Sequence, residues 1–143
     1  MNTETIRLLS ECSSGIRMAS GSIDAVRSGK TDDRLRQMLA QSRQTHERLG
    51  QQTKQLLHAL GAPTEDVPGA ARAMSWMKTN WKLMLKPGDA TVADLITDGC
   101  GMGVKSISRF CNQYPAASGD ARRIAHELIA SEQKLTEDIR QFL

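Results

Sequence analysis

The chain has 143 residues, enough for a single domain over 1–143 with a sizeable core. Its apolar fraction is 39% and its aromatics only 3%, so the core must rest on Leu, Ile, Met and Ala, which favours packed helices over a β-sandwich. A net charge of +3 is too small by itself to imply nucleic acid, and no apolar run nears the roughly 20 residues that cross a bilayer.

The opening stretch MNTETIRLLSEC is neither basic nor followed by an apolar signal core, so a cytoplasmic location is expected. Residues 4–28 carry a helical rhythm in steps of three and four, through Ile6, Leu9, Ser13, Ile16, Ser20, Ile23 and Arg27. The middle of that seam is small and polar. RSGKTDD (27–33) reads as a stop and restart, with Gly29 closing one helix and Thr31 or Asp32 capping the next. The second helix is predicted over 32–60, with Leu35, Leu39, Ser42, His46, Leu49, Thr53, Leu56 and Leu60 on its seam. GAPTEDVPG (61–69) ends it in a loop.

Residues 70–86 predict a shorter amphipathic helix, with Met74, Met77, Trp81 and Met84 on one face and Lys78, Lys82 and Lys86 in a basic row. Pro87 and Gly88 stop it. A third long helix is predicted over 90–113, its seam running Val92, Ile96, Gly99, Gly103, Ser106, Phe110. YPAASGD (114–120) breaks the chain, and Asp120 is expected to cap the last helix, with Ile124, Leu128, Ser131, Leu135, Asp138 and Phe142 inward. The pattern is all-α: a four-helix bundle of two antiparallel hairpins, joined by a long crossover that contains a short helix. A long connection between hairpins marks the ferritin-like arrangement.

TDGCGMGVKS (97–106) invites a phosphate-loop reading, which its spacing refuses. Gly99 and Gly103 are three residues apart, Val104 separates Gly103 from Lys105, and no partner strand exists. Each glycine inside a helix costs about 0.8–1 kcal/mol relative to alanine. Close approach of the first helix is the favoured compensation, with Ser13 and Ser20 as the small residues matching Gly99 and Gly103, and a local kink near 99–101 is the alternative.

A di-metal bundle needs a Glu on two helices and Glu-x-x-His on the other two, all pointing inward. His46 lies on a seam, but Arg43 stands three residues before it. Glu4 and Glu11 project outward by the seam count, Asp94 and Asp98 fall off the seam, and Glu127 and Glu132 flank it. A reduced site of His46 with Glu132 is the metal alternative. The competing expectation makes His46 a polar core residue bonded to Ser13, Ser131 or Thr53. Cys12, Cys100 and Cys111 form no CxxC and are expected to be buried free thiols, and His58 and His126 to lie on the surface.

LLSECSSG (8–15), MSWMKTNWKLML (74–85) and DGCGMGVKSISRF (98–110) together resemble motifs of the uncharacterised bacterial four-helix bundles of the ferritin-like superfamily. The resemblance spans almost the whole chain and implies a fold rather than an activity. It also places Ser14 and Met102 where that family carries an Asp and a Glu. The expected function is accordingly non-catalytic, through contact with a protein partner or a second copy in a homodimer, with no cofactor and no nucleic acid. The other alternative is a membrane-surface or partner face made by Trp76, Lys78, Trp81, Lys82 and Lys86.

Overall fold

A computed structural model describes residues 3–27, 31–62 and 88–143. Four long helices occupy them: α1 Thr3–Arg27, α2 Asp33–Ala59, α3 Asp89–Gln113 and α4 Gly119–Ile139, followed by a single 3₁₀ turn at Arg140–Phe142. No strand occurs among the described residues. The short helix expected over 70–86, with Trp76, Lys78, Trp81, Lys82 and Lys86, lies outside them, as does Gly29.

The helix ends follow local chemistry. Asp32 caps α2 by accepting from the Arg34 backbone N–H at 2.8 Å. Gly61, at φ 68°, ends α2 in a left-handed turn, where Ala62 N–H reaches the Leu57 carbonyl and Gly61 N–H the His58 carbonyl. The cap of α4 is Ser118, whose hydroxyl accepts from Ala121 N–H, and not Asp120. Asp120 instead falls in the first turn of the helix, where its charge meets the positive end of the dipole. At the other end of that loop, Arg122 donates to the Cys111 and Tyr114 carbonyls and so closes α3.

Contacts between ends define the chain directions. The 114–118 loop meets the start of α1, where Ala116 N–H donates to the Glu4 carboxylate and Ser118 N–H to the Thr5 hydroxyl. At the opposite end Asp32 N–H donates to Asp89, which joins the starts of α2 and α3. α1 and α4 therefore run one way and α2 and α3 the other, and each hairpin is antiparallel. The neighbours around the square are α1–α2–α4–α3–α1, and α1 also meets α4 across the diagonal. α2 therefore ends at the same end of the bundle as α3, and the start of α3 lies at the opposite end.

The apolar core comes in two pieces. One gathers Leu8, Leu9, Cys12, Ile16, Leu49, Leu57, Ile107, Cys111, Ile124 and Leu128 around the 114–118 loop. The other gathers Ile23, Val26, Leu35, Leu39, Val92, Ile96, Cys100, Leu135 and Ile139 at the far end. Between the two lies a polar level.

The seam of α2 matches its predicted residues from Leu35 to Thr53. Elsewhere the predicted seams hold at Leu9, Ile16, Ile23, Val92, Ile96, Ile124, Leu128 and Leu135 and differ mainly at their small and polar positions. α4 buries Glu132 and Ile139 in place of Ser131 and Asp138, and α3 buries Cys100, Ile107 and Cys111 in place of Gly103, Ser106 and Phe110. In α1, Thr5, Leu8, Cys12, Ser22 and Val26 are buried, while Ser13 and Ser20 stay half-buried.

Candidate functional site

The polar level is built from α2 and α4. His46 has no exposed surface, and its Nε2 lies 2.6 Å from Glu132 Oε1. Its Nδ1 lies 2.7 Å from the Ser42 carbonyl oxygen, one turn back along α2. A carbonyl only accepts, so Nδ1 carries a hydrogen and donates it. One further proton then lies between Nε2 and Oε1, and the pair is neutral overall whichever atom holds it. Burial alone would lower the His46 pKa, but the hydrogen bond and charge of Glu132, with the Ser42 contact, leave it raised.

Glu132 is itself only 6% exposed. The Cys100 thiol hydrogen-bonds its carboxylate, and burial together with that charge pushes the thiol pKa up. Gly103 lies beside the carboxylate, where a Cβ would stand in ordinary contact, 3.7 Å from both the Glu132 carboxyl carbon and Oε2. His46 thus bonds to Ser42 and Glu132 rather than to Ser13, Ser131 or Thr53. The inward position of Glu132 corrects its sequence placement on the flank of the seam.

Above the pair, a cleft of about 210 Å³ opens between α1 and α3. Its α1 wall carries Ser14, Gly15, Ala19 and Ser22; its α3 wall carries Gly99, Gly103 and Ser106; His46 and Glu132 form part of the floor. The small residues opposite one another leave a space that the backbones do not close. Spacing is set instead by larger side chains: Ile107 reaches to 3.6 Å from a Cβ built on Gly15, and Ile23 packs with Ile96 beyond the pair. The expected tight packing of Gly99 and Gly103 on Ser13 and Ser20 is therefore replaced by a cleft. Ser13 and Ser20 are not in its lining, whereas their neighbours Ser14 and Ser22 are. Glu11, expected to project outward, also lines it, with Met102 and Arg109 on the α3 side.

Ser14 is 5% exposed, and its hydroxyl has no hydrogen-bond partner. Buried hydroxyls are almost always satisfied, and leaving one bare costs about 1–3 kcal/mol. Sequence reasoning passed over Ser14 because it stands one position off the chosen seam. The only signal was its family position under the resemblance, which Met102, another lining residue, shares.

Chemically the site holds and orients better than it reacts. Both imidazole nitrogens are engaged, so His46 offers no free base to the cleft. Burial raises Cys12 to about 12 and raises Cys111 as well, so none of the three thiols is an activated nucleophile. Nε2 and Oε1 meet directly in a 2.6 Å hydrogen bond. No cluster of three or more His, Cys, Asp or Glu suited to a metal occurs among the described residues. None of the described helices is long and apolar enough to cross a membrane.

The fold and site together define an all-α four-helix bundle with a mainly apolar, polar-floored cleft. Comparison with protein-family models, curated proteins and solved structures finds no match.

Proposed function

We propose that this chain is a non-catalytic helical bundle of the ferritin-like type that works by binding a small molecule in the α1/α3 cleft. The parallel course of α2 and α3, consecutive in the chain, supports the ferritin-like connectivity. One observation carries the functional reading: a mostly apolar cleft of about 210 Å³ with the buried His46–Glu132 pair in its floor. Ligand sites have this make-up, a concave apolar lining with a few placed polar groups.

The reading departs from a purely protein-contact role. Among the described residues the large exposed apolar side chains are Met102 and Leu143, and Met102 belongs to the cleft. In place of a metal site, His46 and Glu132 serve as an internal pair that ties α2 to α4 and presents a carboxylate edge at the floor. Zinc or iron added to the purified protein is expected to leave its melting temperature unchanged.

The test is thermal unfolding with small aromatic probes at millimolar concentration. A ligand at one hundred times its Kd raises stability by about 2.7 kcal/mol, an easily read shift. Ala19→Phe and Gly99→Leu fill the cleft and are expected to abolish the shift. Equal shifts in the filled variants, or no shift with any probe, would sink the reading.

A further inference from the structure

The shape of the cleft and the charge at one end of it say what kind of molecule it takes, and the inference rests on the small-molecule reading above. On α1 the lining recurs once per turn, at Glu11, Gly15, Ala19 and Ile23. On α3 it recurs at Ile96, Gly99, Gly103 and Ser106. Two antiparallel helices lined in this way enclose a groove along the bundle axis, about 18 Å from Glu11 to Ile23 at 1.5 Å per residue. A cavity of about 150 Å³ takes benzene, so the 210 Å³ here holds about eight carbons. Drawn out over such a length, that volume suits a chain. Met18 and Met102 flank it from opposite walls, and the unbranched methionine side chain adapts to irregular apolar contacts. In the floor Glu132 is 6% exposed and bonds to His46 and Cys100, so a chain passing over it strips little polar surface of water.

The two ends of the groove differ in charge. Gly15 and Ile107 are level with each other, so Glu11 and Arg109 both lie toward the 114–118 loop. Arg109 is exposed and makes no hydrogen bond or ion pair among the described residues. Lys105, one turn back on α3, is exposed as well. Glu11 already has a partner of its own. Toward the other end α3 carries Asp94 and Asp98, both exposed. An anionic head is therefore drawn to the Arg109 end, where a guanidinium grips a carboxylate with two N–H donors. The geometry points to a medium-chain alkyl carboxylate: its chain of about eight carbons lies along the groove between α1 and α3, and its carboxylate meets Arg109.

Titration calorimetry with hexanoate, octanoate, decanoate and dodecanoate, each below its micelle threshold, tests the chain. Affinity is expected to rise roughly fourfold per methylene from hexanoate to octanoate, and to level off by dodecanoate, when the groove is full. Equal binding of all four, or a rise that continues to dodecanoate, would overturn the fit. Octan-1-ol tests the head. A carboxylate is the more strongly hydrated of the two, so a groove that is merely apolar takes the alcohol first. The wild type is expected to bind octanoate about two- to fivefold tighter than octan-1-ol, the range of an exposed ion pair. Arg109→Gln, a surface change, is expected to reverse that order. Tighter binding of the alcohol by the wild type, or an order that Arg109→Gln leaves unchanged, would overturn the anionic head. Failure of the carboxylates while para-ethylphenol still raises the melting temperature would overturn the inference and leave the small-molecule cleft. Failure of every probe would overturn both.

Discussion

Replacing His46 by Leu removes one half of a buried pair and leaves the other. His46 has no exposed surface and Glu132 has 6%, so neither group can turn to solvent. In His46→Leu the carboxylate keeps the weak Cys100 thiol but loses its 2.6 Å partner. Breaking one side of such a pair costs about 3–5 kcal/mol. That is a large share of the roughly 5–15 kcal/mol that holds a domain of this size together. Glu132→Met is expected to cost a comparable amount, because the imidazole Nε2 is then left bare. Replacing both together removes the desolvation cost along with the attraction, and such swaps are often neutral or stabilising. Urea unfolding of the wild type, both single variants and the double variant closes the cycle, provided the slopes agree. The double variant is expected within about 1 kcal/mol of wild type, more stable than either single. Costs that simply add would show that the two residues do not act as a pair, and would refute the reasoning.

The pair also makes stability depend on pH. The native value of His46 lies above its ordinary 6.5, so the folded state binds the proton more tightly than the unfolded chain does. This contribution is complete below about pH 6.5 and is lost as pH rises through the native value. Denaturation midpoints taken from about pH 6 to about pH 9 are expected to fall more in wild type than in His46→Leu/Glu132→Met; parallel curves would contradict the assignment. Ser14→Ala is expected to hold or raise stability, by up to about 1 kcal/mol, since it deletes an unsatisfied buried hydroxyl. A clear loss in denaturant titration would mean that Ser14 has a structural partner. Glycine-to-alanine exchanges rank the packing. Gly101, with nothing within 4 Å, is expected to gain about 0.4–1 kcal/mol. Gly103 is expected to gain somewhat less, and Gly50, where a Cβ would stand 3.3 Å from Ile16, nothing or a loss. The opposite order in thermal melts would restore the close-packing view of α3.

The four long helices were legible because their punctuation is local. Asp32 caps, Gly61 turns left-handed, and α2 carries enough leucines at seam spacing to orient itself. The other helices mix serine, glycine and charge along their inner faces, so two adjacent lines of residues score almost alike. On α4 the hydropathy favoured Ser131 inside. The structure turns Glu132 in because His46, facing it from α2, supplies the proton that makes a buried carboxylate tolerable. On α3 the glycines suggested contact, but Ile96 and Ile107, one turn before Gly99 and one turn after Gly103, reach toward α1 and hold the backbones apart. His46 was correctly singled out as the interior polar residue. Its true partners depend on how α2 and α4 are registered, which no single-helix pattern reveals. The polar level between the two apolar clusters, and the cleft above it, are likewise properties of four helices at once.

The central claim is that the space between α1 and α3 is a ligand site. Its most direct measurement is a methyl-resolved NMR titration with a small aromatic probe such as para-ethylphenol. The methyls of Ile23, Ile96, Ile107 and Leu135 all line the cleft. They are expected to shift together along one saturable curve, while those of Leu8, Leu57 and Ile124, buried away from it, stay in place. Shifts scattered over surface methyls, or none in the cleft at saturating probe, would contradict the account.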